Sequence, residues 1–599
     1  MPDFSRGHPV GVAPARMTLL AGSFLLFGWL TGMPVAMAQS PPSPRLTQQP
    51  SSLPPDLSGE PPNRFDPLPE RTPEPTTPTP LPPPVELLTP NSESEPDAST
   101  PNGDLTVVVE RFEVLGSTVF TPEELANLLA PFTNRPLTFA ELLAARSAVT
   151  DLYVDNGYIS SGALIPPQEL VNGVVTIEVV EGGLETIDAI VSGGNLRPAY
   201  VRNRIALAAD APLNINRLRD ALQLLQIDPR VERLEAELSA SPQPGLSLLT
   251  VEVTTAKTFG LDLEFDNGRS PSVGSFRRRL TLLDENLTGI GDELFLSYTN
   301  TTGSNAIDFE YGLPVNPRNG SVSFAFGFSN NSVIVDPFAA LDIESDSRYY
   351  ELTYRQPLIE TPRRELAVGL TVSRLASDTE LLNVPFPLAF GANAEGETRI
   401  NALRLVQEFT QRAERQVFAV RSQLSVGIDA FNATTNDGDI PDSNFVAWRL
   451  QGQFVRALYE DALFVVRGDL QLSDRPLVSL EQFSVGGWQS VRGYRQDFLL
   501  TDNGALITSE VRLPIFRARN INGVLQIVPF VDVGSGWNNN SIPDPDPGTL
   551  VGIGAGLLWQ QGDRWFMRVD YGIPLVDDEM DGDTLQEDGV YFSIVVSPF

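Results

Sequence analysis

The chain has 599 residues and a formal net charge of −34, with no cysteine and a single histidine, His8. It is long enough for several domains and shows no basic patch of the kind that a nucleic-acid partner requires. Lacking a thiol, and with its one imidazole in a leader segment, it has neither Ser-His-Asp nor Cys-His chemistry nor the usual zinc ligands. Its carboxylates are scattered, so no catalytic residue, metal or cofactor is expected and an enzyme is disfavoured.

Residues 1–38 have the pattern of a signal peptide: Arg6 and Arg16 precede the apolar run "MTLLAGSFLLFGWLTGM", and Ala36 to Ala38 offer a small-residue cleavage site. The run is short for a membrane span, and no other stretch approaches the roughly twenty apolar residues that a membrane helix needs. If the protein crosses a membrane, it does so with strands. Residues 39–103 are Pro-rich and acidic, cannot bury a core, and are expected to form a disordered linker.

One pattern then occurs twice. In 104–182 a strand, "TVVVERFEVLG", leads to a helix opening at Thr121, where Thr caps, Pro122 follows and Glu124 completes a capping box. A second helix, "TFAELLAARSAVTDLYVDNG", and strands at "YISSGALIP" and "GVVTIEVVEG" complete the unit. In 183–257 the same order returns: "LETIDAIVSGG", helices near "LRPAYVRNRIALA" and "NINRLRDALQLLQ", and strands at "VERLEAELSAS" and "LSLLTVEVTTA". Two small α+β (β-α-α-β-β) modules in tandem resemble polypeptide-transport-associated (POTRA) domains, POTRA 1 and POTRA 2, which implies a periplasmic position.

From 258 to 599 the texture becomes alternating. In "RWFMRVDYGI", Trp565, Met567, Val569, Tyr571 and Ile573 share one face while Arg564, Arg568 and Asp570 share the other. A soluble sandwich also alternates, so loop lengths carry the decision. Sixteen candidate strands are separated by long connections, such as 379–397, 431–444 and 475–501, that alternate with tight turns such as 359–362, 412–415 and 459–461. Long loops on one side and tight turns on the other are the habit of outer-membrane barrels, and charges of both signs on the inner face are at ease in a wet lumen. The expected fold is therefore multidomain: a 16-stranded antiparallel transmembrane β-barrel preceded by two POTRA domains. The barrel lies among outer-membrane lipid, with both its ends on the side of the modules. The last strand finishes on Phe599, the kind of terminal aromatic by which barrel assembly machinery recognises a protein for membrane insertion.

The long loop 475–501 contains "GGWQSVRGYRQDF". Its tip, Val491, Arg492, Gly493 and Tyr494, resembles the Arg-Gly-Tyr tip of the sixth loop in the outer-membrane-protein-85 superfamily. Beyond the next strand, "FVDVGSGW" matches that superfamily's second signature in Phe530, Asp532 and Gly534, three residues on one face of a strand. The resemblance implies a loop 6 folded inward, with Gly493 making the turn, Tyr494 stacking on the barrel wall and Arg492 docking on Asp532. A fork-shaped guanidinium carried into a lumen requires such a carboxylate.

Two modules rather than the three to five of barrel-assembly factors are similar to the TpsB transporters of two-partner secretion, the ShlB/FhaC/HecB-like haemolysin activation/secretion proteins. That resemblance implies an outer-membrane pore that secretes a TpsA-like exoprotein client. A barrel assembly factor of the same superfamily and a passive porin are the competing readings.

Overall fold

A computed structural model describes residues 106–599 apart from 337, 439, 460–461, 540–541, 577–583 and 599. The leader, the Pro-rich segment and Phe599 lie outside the described residues.

The first module comprises β1 (Thr106–Val109), β2 (Arg111–Leu115), α1 (Pro122–Leu129), β3 (Arg135–Thr138), α2 (Phe139–Asp155), β4 (Gly162–Leu164) and β5 (Val174–Val180). Capping boxes start both helices, Thr121 with Glu124 and Thr138 with Glu141. The hydrogen bond from Arg135, with those from the Thr138 backbone and hydroxyl, holds the Glu141 carboxyl down to about 2. Leu125 and Leu129 pack with Ala145, Val149 and Tyr153 of α2 against Ile177 and Val179 of β5.

One expectation fails here. The stretch read as one strand is broken at Glu110: β1 pairs with β3, while β2 runs parallel to β5 in a sheet of order β2-β5-β4. The physical reason is a change of parity. Apolar residues fall at Val107 and Val109, then at Phe112 and Val114, so a single strand would turn half of them to water.

The second module has β6 (Gly183–Ser192), α3 (Pro198–Ala206), α4 (Ile215–Gln226), β7 (Val231–Ala240) and β8 (Leu246–Thr255), in a sheet of order β6-β8-β7 with β6 and β8 parallel. Its helices bury Val201, Ile205, Leu218 and Leu222 against Leu249, Val251 and Val253 of β8.

The remaining strands close into a barrel. They are β9 (Phe259–Asp266), β10 (Arg277–Asp284), β11 (Glu293–Asn300), β12 (Ser304–Pro314), β13 (Ser321–Ser332), β14 (Ile343–Glu360) and β15 (Arg364–Leu381). After the two-residue β16 (Val384–Pro385) come β17 (Glu397–Ala413), β18 (Gln416–Gly427), β19 (Val446–Tyr459) and β20 (Ala462–Ser473). Loop 6 holds β21 (Phe483–Val485) and β22 (Leu499–Thr501), and the wall resumes with β23 (Asn503–Ala518), β24 (Gly523–Trp537), β25 (Thr549–Gln561), β26 (Trp565–Pro574) and β27 (Val590–Val596). Setting aside β16, β21 and β22, these are the sixteen antiparallel strands that the alternation predicts. The ring closes where Ser593–Val596 pair with Leu263–Asp266.

The faces are inverted relative to a soluble protein. Val569 and Tyr571 are 51% and 55% exposed, whereas Asp570 between them is 1% exposed. Apolar surface outward and charge inward suits lipid rather than water. Among the described residues no helix is long and apolar enough to cross a membrane.

The second module is fastened to the turn joining β10 and β11. Arg230 donates to the backbone oxygens of Glu285 (2.7 Å) and Gly291 (3.0 Å) and to the Glu293 carboxylate (2.7 Å). The Asn195 side chain donates to the Asn286 backbone carbonyl (3.0 Å) and accepts from the Asn286 side chain (2.7 Å), and the Arg197 amide donates to the Gly289 carbonyl at 2.8 Å. Tyr200 lies under the Arg204 guanidinium, 3.4 Å from its ring, and Arg204 reaches Asn319 in the turn joining β12 and β13. Hydrogen bonds to a charged group contribute about 1.5–3 kcal/mol each. Arg230→Ala should therefore speed amide exchange in residues 285–292 by at least tenfold, about 1.4 kcal/mol, with the barrel's heat-shifted gel mobility unchanged.

Candidate functional site inside the barrel

Loop 6 starts from a helical turn at Ser479–Glu481, rises as the β21–β22 ribbon, and carries its tip, Gly486 to Phe498, against the inner face of β24, β25 and β26. Gly486, Gly487 and Gly493 have φ of +118°, +99° and +108°, conformations that glycine adopts without strain.

The structure brings Arg492 and Asp532 together. Nε donates to Oδ2 at 2.7 Å, Nη2 to Oδ1 at 2.9 Å, and the Arg492 amide to Oδ2 at 3.2 Å. This is the two-pronged geometry that a guanidinium favours. Phe530 lies beneath, its ring centre 3.5 Å from the guanidinium carbon, so the aromatic of the wall signature serves as a cation–π platform.

Alternation alone did not show how many partners surround this pair. Arg492 Nη1 also reaches Glu510 (3.1 Å) and Asp570 (3.4 Å). Arg512 binds Glu510 at 2.7 Å, and Arg568 binds Glu510 and Asp570 at 2.8 Å each. Nearby, Arg277 pairs with Asp266 and Arg279 with Glu264. These groups were expected to line a wet lumen; instead Arg512 and Asp532 are fully buried and Arg492 is 4% exposed. Interleaved opposite charges under the loop replace water as their solvent.

Gly534, the third residue of the wall signature, makes room: a Cβ there would strike the side chains of Val485 and Val491. Gly552, opposite Asp532 in register, and Gly572 do the same for the backbone of Arg492 and Gly493. Val491 is buried with Phe483, Val485, Tyr494, Leu499 and Leu550. Tyr494 lies against the barrel wall, clustered with Leu550 of β25. Its ring also meets Phe498 of its own loop edge-on at 5.6 Å. Its hydroxyl accepts from the Val576 amide and lies 3.1 Å from the carbonyls of Val551 and Val576. Tyr591 completes the anchorage, accepting from the Gly493 amide and donating to the Tyr494 carbonyl. Among the described residues no cluster of three or more His, Cys, Asp or Glu could hold a metal ion.

A family model described as haemolysin secretion/activation protein ShlB/FhaC/HecB matches residues 245–558, and one described as POTRA domain, ShlB-type, matches residues 107–182. The chain belongs to the ShlB/FhaC/HecB family. It is thus an outer-membrane transporter of the two-partner secretion type, in a family of secretion channels rather than enzymes. It is 25% identical over 465 residues to the outer membrane transporter CdiB of Escherichia coli strain 536, covering 76% of each chain. It is 22% identical over 478 residues to the heme/hemopexin transporter protein HuxB of Haemophilus influenzae strain 86-028NP, covering 76% of this chain and 80% of that one. The solved structure of CdiB from Escherichia coli shares the fold, with a TM-score of 0.65 at 23% identity over 86% of this chain and 94% of that one.

Removing Arg492 leaves the buried Asp532 without its two-pronged partner, a loss that costs about 3–5 kcal/mol in comparable sites. Arg492→Ala, and Arg492→Lys, which cannot form the fork, should each open loop 6 to trypsin while the barrel stays heat-modifiable. Gly552→Ala should expose the same loop without altering a charge.

Proposed function

We propose that the chain recognises an unfolded, TpsA-like exoprotein through its two POTRA modules and secretes it through the barrel. Residues 1–38 would direct export, 39–103 would space the modules from the leader, and Phe599 would mark the chain for insertion. The observation that carries this reading is the arginine-tipped loop 6 seated inside a sixteen-stranded barrel, beneath which the second module is fastened to the turns. The client adds as a strand to a free sheet edge, where backbone hydrogen bonds give affinity with little demand on sequence. It then passes the lumen as loop 6 shifts aside. The sequence contains no nucleotide-binding loop of the Walker type, so the driving force is the folding of the client outside the cell.

The roles of Val491, Arg492, Gly493 and Tyr494, and of Phe530, Asp532 and Gly534, follow: they hold the loop in its resting place and reset it after passage. In cells that co-express the transporter with a TpsA-like exoprotein that it secretes, Arg492→Ala and Asp532→Ala should each abolish secretion with the amount of inserted barrel unchanged. Normal secretion by both would overturn the assignment. Depletion of the transporter should remove one secreted protein; loss of many outer-membrane proteins would instead indicate an assembly factor.

A further inference from the structure

The tip is not the only part of loop 6 that is tied to the wall by charge. At its root Glu481 is buried and forms a two-pronged ion pair with Arg404 of β17, Nη2 to Oε1 at 2.5 Å and Nη1 to Oε2 at 3.0 Å. Arg404 is fixed in turn by Ser373 on β15 and Ser425 on β18. Beside the pair, Leu477, Val478 and Leu480 settle on an apolar patch of the inner wall formed by Leu375, Ile400 and Ala402. Two further bonds bind the root: Gln471 donates to the Glu481 carbonyl at 2.9 Å and the Leu477 amide to Asp502 at 2.8 Å.

β17 stands across the ring from β26, with β18, β19, β20, β23, β24 and β25 between them on one side. Loop 6 therefore crosses the lumen, held at the two ends by pairs of opposite polarity: a loop cation on wall carboxylates at the tip, and a loop carboxylate on a wall cation at the root. Releasing the tip alone leaves the root lying over β17.

We propose that Arg404 and Glu481 form a second latch of transport, positioning the root of loop 6, and that the passage widens fully only when this latch and the tip latch have both opened. The proposal deepens the reading of the barrel as a secretion pore. Its test uses ion conductance of the purified full-length protein in planar bilayers, which needs no client and so fails separately from that reading.

Glu481→Gln and Arg404→Met should each raise mean conductance several-fold. Because they break one bond, the double variant should rise no further than the larger single effect. Glu481→Gln combined with Asp532→Asn should multiply the two effects, as independent latches require. Parental conductance in Glu481→Gln, or multiplication within the Arg404–Glu481 pair, would overturn the proposal. Should those variants insert poorly, the absence of native cysteine offers a second arm. Arg404→Cys with Glu481→Cys, joined by a short bismaleimide in the Asp532→Asn background, should hold conductance at the closed level. Conductance as high as in uncrosslinked Asp532→Asn would sink the second latch.

Discussion

A guanidinium inside a membrane-embedded tube has to be surrounded by carboxylates, and this requirement organises the C-terminal half of the chain. Arg492 cannot stay in the lumen on hydrophobic contact alone, because an unpaired charge there would carry its full desolvation cost. Asp532, Glu510 and Asp570 supply the compensation from three different strands, and Arg512 and Arg568 keep those carboxylates from repelling one another. The loop thus completes a lattice of charge begun by the wall. A conservative change at one member of such a lattice is felt by several others.

The loop is braced at more points than its charged tip. Besides the ion pair, the β21–β22 ribbon and the seated Val491 and Tyr494 hold it in place. Beneath the barrel, Arg230 and Arg204 tie the second module to the turns joining β10 to β11 and β12 to β13. Any movement of loop 6 therefore takes place within a frame that is fixed from below.

Much of this was legible from residue parity. Alternation placed Asp532 inward and Val531 outward, and the loop lengths separated a barrel from a sandwich. The tip and wall signatures were legible because each is local, a handful of neighbouring residues. What escaped was whatever depends on register between strands distant in sequence. Glu510 and Arg568 look like ordinary inward charges until β23 and β26 are placed around the same loop. Gly552 and Gly572 look like generic strand glycines until a backbone is laid over them. The apolar inner patch at Leu375 and Ile400 was hidden because an inward Leu or Ile contradicts the polar-lumen rule unless something covers it. The break at Glu110 was visible in the parity of Val109 and Phe112.

The bare strip at Gly534, Gly552 and Gly572 gives the barrel two very different tolerances to change. On the lipid side, Ile553 or Val569 can be exchanged for another greasy residue with little consequence, since acyl chains adapt to any outline. Across the thickness of one strand, even a methyl group would evict the arm, so drift in this half of the sequence should leave its mark on the outside of the tube and almost none along that inner track.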